Sequence, residues 1–506
     1  EKLEEAIVQA KQELLLVEES MKKSVGAAEA AIFSAHRSLL EDPDLLETAF
    51  SAVEKGKSAA EAWEYAVQKL SAQLKTLKNE VLAARASDVQ DVGLRVLSRI
   101  LGTQVTDFSQ LTEDSILVAE DIGPGDLANL RGTRVVGICT IGGGATSHAA
   151  ILARALGLPA LHGVSKNVFT LKETDVVLLD ALNGELKLSP TESELKEVIE
   201  TNIKVARNRA EELKECSRPA LTSDGHNVNV AANLAHEHEA VEASEFSAEG
   251  VGLLRTELYF AEKSSEPTEN EQFEFYRTVA KKFKDKPVII RTLDVGGDKP
   301  LSYLPMKAEA NPFLGERGIR FTFAHENVFR RQIRAIVRAG EFGNVHIMFP
   351  MITTLAELRT AKKILEEETK NLHAKKIPVG IMIEVPAAAI LADQFAREVD
   401  FFSIGTNDLT QYTLAMDRTN PGLSKQVDGL NPSVLRLIQM TVEAAHKNGK
   451  WVGVCGGMAA EPEAIPFLLA LGVDELSVSV PAIPSVRAAI RKLNLADAKK
   501  ALRTML

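Results

Sequence analysis

Cysteine is nearly absent from this chain: Cys139, Cys216 and Cys455 are the only three among 506 residues. Odd in number and far apart, they support neither a disulfide framework nor a zinc cluster, and a reducing cytosol is the expected compartment. No apolar run reaches the roughly 18 residues needed to cross a bilayer, and the charged helical pattern at the start of the sequence leads to the expectation of no signal peptide. Positive charge is in deficit, with 59 Lys and Arg against 70 Asp and Glu and a formal net charge of -11. That balance argues against nucleic acid or an anionic membrane as partner, so any phosphate site must be a local pocket of cations. An initiator methionine is also missing, because Glu1 falls directly inside an amphipathic pattern; a piece of a longer chain is expected.

What is present is length for roughly three domains and 45% hydrophobic residues to fill their cores. Leu3, Ile7, Ala10, Leu14, Val17 and Met21 recur at steps of four and three, the single apolar seam of a helix. Further helices are predicted over 27–40, stopping before Asp42-Pro43, from Ser58 towards Leu82 with Glu61 in capping-box spacing, and through Val89, Val92, Val96 and Ile100 to Gly102. Residues 1–102 therefore read as a helical bundle whose charged faces are either solvated surface or a docking surface. Over 103–190, short apolar runs at 116–119, 135–138 and 176–179 and an Asn183-Gly184 turn predict a compact α/β unit. Residues 191–218, rich in Lys, Glu and Arg, predict a helical linker ending at Arg218-Pro219. Across 219–506, apolar runs at 228–231, 250–254, 288–290, 318–321, 345–349, 379–383, 401–404 and 451–454 alternate with helical patterns. Eight alternations in a segment of that size predict a (β/α)8 barrel, making the whole an α/β multidomain chain.

Two features carry chemistry. Gly142, Gly143 and Gly144 lead into His148 at the expected start of a short helix. Backbone N–H groups and the helix N-terminus would stabilise an anion there, so His148 is either a phosphoryl carrier or an incidental residue of a capping loop. The second feature is the set of residues after the barrel runs, where such barrels build their active sites. Arg255 follows the second, Arg291 and Asp294 the third, Glu384 the sixth, Asn407 and Asp408 the seventh, and Cys455 the eighth. Guanidinium forks suit a substrate rich in phosphate and carboxylate oxygens, and Glu384 and Asp408 are hard ligands suited to Mg2+. Cys455, ahead of Gly456-Gly457, is either a proton donor or an inert buried thiol.

Together these residues make the chain resemble, over essentially its whole length, the Enzyme I family of the bacterial phosphoenolpyruvate-dependent sugar phosphotransferase system. The motifs that carry the likeness are Thr146-Ser147-His148, the stretches 250–257, 291–299, 311–317 and 405–412, Asp417-Arg418-Thr419-Asn420, and Cys455-Gly456. The resemblance implies that His148 is phosphorylated by phosphoenolpyruvate and passes the group to a histidine of a phosphocarrier protein, the first step of sugar uptake. By the same resemblance Arg255, Arg291, Arg317, Asn407 and Arg418 hold phosphoenolpyruvate, Glu384 and Asp408 bind Mg2+, and Cys455 protonates enolpyruvate. It further implies that the helical bundle docks the phosphocarrier protein, that the barrel forms a homodimer, and that the family's first strand and C-terminal extension are lacking here. Ile141, Ala145 and Gly457 depart from the family's pattern. The alternative kept open is a regulatory phosphotransferase paralogue acting in nitrogen or carbon signalling. Because one imidazole must serve both substrate and carrier, 192–219 is the expected hinge region.

Overall fold

The computed structural model describes residues 2–24, 27–75, 80–102, 108–130, 132–142, 148–263, 265–297, 301, 303–304, 306–307, 309–420 and 422–506. Two compact units divide the chain, Glu1–Thr201 and Asn202–Leu506.

The first unit begins with α1 (Lys2–Ser24), α2 (Ala27–Leu39), α3 (Pro43–Glu54), α4 (Ala59–Lys75) and α5 (Glu80–Leu101). The seam read in α1 is its buried face, with Leu3, Ile7, Ala10, Leu14 and Met21 inside. Asp42-Pro43, which ends α2, also starts a helix that the apolar pattern does not announce. Asp42 accepts a hydrogen bond from the Leu45 N–H at 3.0 Å, and Pro43 takes the first helical position, where no N–H is needed. The Ser58 capping box forms as its spacing predicts: the Glu61 N–H donates to Ser58 Oγ at 3.3 Å, and the Ser58 N–H to Glu61 Oε2 at 3.0 Å. The helix it opens is described as far as Lys75, and the expected continuation over 76–79 lies outside the described residues. Gly93 brings α5 close to α4, because a Cβ there would stand 2.6 Å from Val67 Cγ1. The Gly93 carbonyl accepts from Trp63 Nε1 at 2.9 Å.

After the bundle come β1 (Ser115–Ala119), α6 (Pro124–Asn129), β2 (Val135–Thr140), α7 (His148–Ala155) and β3 (Ala160–His162), with the three strands in a parallel sheet ordered β1-β2-β3. An antiparallel hairpin of β4 (Val177–Asp180) and β5 (Glu185–Leu188) follows, turning at Asn183-Gly184. Bundle and sheet share one apolar core, in which Val92 and Val96 join Leu127, Ile138 and Leu152. Then α8 (Glu192–Lys214) runs through the point where the chain divides, burying none of its residues.

The second unit is a closed, all-parallel barrel of β6 (Asn229–Leu234), β7 (Val251–Arg255), β8 (Val288–Arg291), β9 (Val345–Phe349), β10 (Val379–Ile383), β11 (Phe401–Ile404), β12 (Trp451–Val454) and β13 (Glu475–Ser479). The count of eight holds, but one expected strand is absent and one that was not expected takes its place. The run at 318–321 is not a strand; it enters the helix Ile319–Ala324, preceded by Gly318 at φ 58°, a position where a Cβ would meet Met351 Cγ at 2.8 Å. The eighth strand is β13, whose Glu475, Ser477 and Ser479 interrupt the apolar run that marks the other strands. Leu253, Ile289, Met348, Met382, Phe401 and Cys455 pack as a cluster of their own, separate from the larger core joining strands to outer helices. Among the described residues, no helix is long and apolar enough to cross a membrane.

Candidate active site

His148 is the first described residue of α7, so the short helix expected after the glycine run is present. Residues 143–147, with Thr146 and Ser147 of the histidine motif, and the His148 side chain lie outside the described residues. The approach to them is fixed by Gly142. Its N–H donates to the Glu120 carbonyl at 2.7 Å, and a Cβ at this position would stand 3.1 Å from the same oxygen.

In the second unit, the C-terminal strand ends enclose a cavity of about 220 Å³ lined by Arg255, Glu257, Arg291, Met382, Glu384, Asn407, Asp408, Arg418 and Cys455, among others. Strand geometry explains the convergence. Arg255 and Arg291 are the last residues of paired strands β7 and β8 and stand opposite each other in register, while Glu384, Asn407, Asp408 and Cys455 come one to four residues after β10, β11 and β12.

The cations are held by acids. Arg291 Nη2 donates to Glu257 Oε1 at 2.5 Å, and Nη1 lies 3.3 Å from Asp294 Oδ2. Burial works against the Arg291 charge, but Glu257, Asp294 and Glu384 together outweigh it and hold the guanidinium protonated. Arg291 Nε is buried without a hydrogen-bond partner, as is Nη1 of Arg418, which stands 3.4 Å from Asp408 Oδ2.

Arg317 has no exposed surface and is not among the residues lining the cavity. Nε and Nη2 donate to Asp294 at 3.2 Å each, Nη1 and Nη2 to Asp408 at 2.8 and 3.2 Å, and Nη1 also to the Tyr412 hydroxyl at 3.3 Å. A guanidinium has five N–H donors and all five are committed within the protein. Tyr412 in turn donates to the Phe313 carbonyl.

Glu384 is the most perturbed acid at this end of the barrel. Oε1 accepts from the Met351 N–H at 2.6 Å, while Oε2 is buried without a partner. Burial first, then the neighbouring Asp294 and Asp408 carboxylates, push its pKa up to about 8 against the pull of Arg291 and Arg317. A cation at Oε2 would supply what this carboxyl lacks. Among the described residues, no group of three or more His, Cys, Asp or Glu converges as a metal cage. A metal held by Glu384 and Asp408 would complete its shell with water and substrate oxygens, the coordination that Mg2+ prefers. Burial also raises the Cys455 pKa, so at neutral pH it carries its proton.

Residues that the sequence does not single out complete the site. Met351 turns its N–H to Glu384 from a left-handed backbone, φ 55°. The Gly457 N–H donates to Asn407 Oδ1 at 2.8 Å, a contact that needs no side chain at 457. The Arg-capping acid Glu257 lies inside a motif but carries no signal of its own, and Met382, with Sδ 3.5 Å from Arg291 Nη1, reads only as core.

Comparison with known proteins agrees with this layout. Residues 209–495 match the family described as PEP-utilising enzyme, PEP-binding domain, residues 111–184 its mobile domain, and residues 1–85 its N-terminal part. A multiphosphoryl transfer protein of Rhodobacter capsulatus is 45% identical over 492 residues, which is 97% of this chain and 60% of that protein. The chain thus spans less than two thirds of that relative. A phosphoenolpyruvate-protein phosphotransferase of Geobacillus stearothermophilus is 42% identical over 515 residues, covering all of this chain and 89% of the relative. That of Bacillus subtilis is 42% identical over 508 residues, covering 98% and 89%. With three successive segments matched and a site of arginines and carboxylates at the barrel mouth, the chain belongs to the phosphoenolpyruvate-utilising enzymes and, among them, to the phosphoenolpyruvate-protein phosphotransferase family.

Proposed function

We propose that this chain takes the phosphoryl group of phosphoenolpyruvate onto His148 and passes it to a histidine of a phosphocarrier protein, releasing pyruvate. The observation that carries the reading is the meeting, around one small cavity, of two buried guanidinium nitrogens that make no hydrogen bond, Arg291 Nε and Arg418 Nη1, the latter with only a 3.4 Å ion pair to Asp408, and a buried Glu384 Oε2 that makes none either. A ligand that satisfies all three must bring anionic oxygens and a cation together. Phosphoenolpyruvate with Mg2+ does so.

In this reading Arg255, Arg291 and Arg418 take the phosphoryl and carboxylate oxygens, Asn407 orients them, and Arg317 keeps Asp408 in place from behind. Glu384 and Asp408 would hold Mg2+, which would supply neutralisation of charge on the phosphoryl and leaving oxygens. An imidazole nitrogen of His148 forms the new N–P bond as the P–O bond to the enol carbon breaks, and that electron pair stays on the enolate oxygen. The Cys455 thiol then gives its proton to the methylene carbon, producing pyruvate and a thiolate that recovers a proton from water. The helical bundle is the docking surface for the carrier, the active form is a homodimer through the barrel, and the compartment is the cytoplasm.

Incubation with phosphoenolpyruvate and Mg2+ should add one acid-labile phosphoryl group to the wild-type chain, mapped to the His148 peptide, and none to His148→Ala. Undiminished labelling of that variant would refute the assignment.

A further inference from the structure

We propose that Asn233 of β6 is the positioning residue for Cys455, its side-chain amide standing in for the strand pairing that β12 and β13 give up at this point, with Ser477 fixing the amide's orientation. The inference rests on the reading of Cys455 as proton donor and goes beyond it by naming what aims the thiol.

The barrel is closed by parallel ladders, but β12 and β13 pair only at Gly453 with Glu475 and Val454 with Leu476. One residue later the ladder opens, at Cys455 on one strand and Ser477 on the other. Carbonyls left unpaired at such a seam need donors. Asn233 supplies both: Nδ2 donates to the Cys455 carbonyl at 3.1 Å and to the Ser477 carbonyl at 3.1 Å. Its Oδ1 accepts from Ser477 Oγ at 2.7 Å, which leaves the amide one orientation.

The other side of Cys455 is tied as well, since its N–H donates to the Ile404 carbonyl of β11 at 3.1 Å. The peptide that carries the thiol is thus held from β11 on one flank and, across the opened seam, from β6 on the other. Proton transfer to a carbon depends steeply on placement, and a displacement of about 1 Å can cost roughly a hundredfold in rate. Phosphoryl transfer to His148 makes no use of the thiol. Loss of the Asn233 amide should therefore separate the two half-reactions.

The test uses the full-length chain and two measurements on each variant: the rate of His148 phosphorylation by phosphoenolpyruvate with Mg2+, and the rate of deuterium entry into the pyruvate methyl group in heavy water. Asn233→Ala is expected to slow methyl exchange by roughly tenfold or more while changing phosphorylation by less than about threefold. Asn233→Asp, which keeps the shape but has no donors for the two carbonyls, should behave like Asn233→Ala. Ser477→Ala keeps the amide but frees its rotation, and should give a smaller selective loss; it carries the test if the Asn233 variants fail to fold. Equal loss of both rates, or no loss of exchange, in the folded variants would overturn the proposal. Cys455→Ser separates the two levels. If it exchanges as fast as wild type, the proton-donor reading falls and this inference with it; if it loses exchange while Asn233→Ala keeps it, only the positioning role falls.

Discussion

Arg317 grips Asp408 with two parallel hydrogen bonds, 2.8 Å from Nη1 to Oδ1 and 3.2 Å from Nη2 to Oδ2, and the pair is almost wholly out of water. The same guanidinium holds Asp294, so one buried cation fixes two carboxylates at the barrel mouth. Arg317→Met would take from both acids their hydrogen-bonded cation, leaving Asp294 to its 3.3 Å ion pair with Arg291 and Asp408 to its 3.4 Å ion pair with Arg418, at a cost of up to about 3–5 kcal/mol. Arg317→Lys keeps the charge but not the fork and should fall between the two. Urea unfolding of the full chain checks this, and midpoints unchanged in both variants would show that the fork does not hold the site.

Glu384→Gln and Asp408→Asn should each raise the Mg2+ concentration needed for His148 phosphorylation, by roughly tenfold or more, and lower the rate at saturation. Arg255→Lys should slow transfer with a smaller effect on the metal requirement, since it changes the oxygen clamp alone. Superimposable Mg2+ titrations of wild type and both carboxylate variants would remove the metal from these two residues.

His36 of α2 is fully buried, with Nε2 3.5 Å from Asp88 Oδ1 and Nδ1 3.4 Å from Asp91 Oδ2 on α5. Burial draws its pKa down, but the two carboxylates outweigh burial and the net shift is upward from 6.5. A raised folded-state value means that the imidazolium's stabilisation is present in full below 6.5 and is lost as pH rises through the folded value. Opening free energies of α2 and α5 amides from hydrogen exchange should therefore be higher at about pH 6 than at about pH 8.5. The difference should vanish in His36→Gln, whose side chain does not titrate.

Glu475 of β13 gives the same sign from an acid. Burial, reinforced by Glu249 and Asp474, raises its pKa to about 8, and a Cβ at Gly252 would stand only 2.6 Å from its Oε1. The unfolded chain ionises this group from its ordinary value upward and the folded barrel does not, so stability is lost progressively as pH rises towards about 8. Glu475→Gln should flatten that dependence and be more stable than wild type at about pH 8, by up to a few kcal/mol, because each tenfold change in the protonation equilibrium is worth about 1.4 kcal/mol. Parallel pH profiles of the urea midpoint for the two proteins would contradict it.

The barrel was legible in the sequence because seven of its strands are short, mainly apolar runs with most of their residues buried, as parallel strands covered on both faces require. The eighth hid because Glu475 and Ser477 break the run; the apolar Ile319 and Phe321 offered a false substitute where Gly318 turns the chain into a helix instead. At the site, Arg255, Arg291, Glu384, Asn407, Asp408 and Cys455 could be found because strand ends point them to one place. What could not be found were groups without a side-chain signature, such as the Met351 N–H on Glu384, and residues whose role is set by a neighbour's geometry. Asn233 acts through an opened ladder, and Arg317 is held by two acids that lie 23 and 91 residues away along the chain.

The near balance of guanidinium and carboxylate groups around the cavity has a kinetic consequence. Arg255, Arg291 and Arg418 line the cavity with Glu257, Glu384 and Asp408, and the buried Arg317 and Asp294 add one charge of each sign, in a chain whose overall charge is already negative. Such a mouth projects little attractive field beyond a Debye length of about 10 Å, so an anion arriving from solution is not drawn in from afar. Its association rate should vary little with ionic strength, and recognition begins only when the incoming oxygens reach contact distance of the arginines.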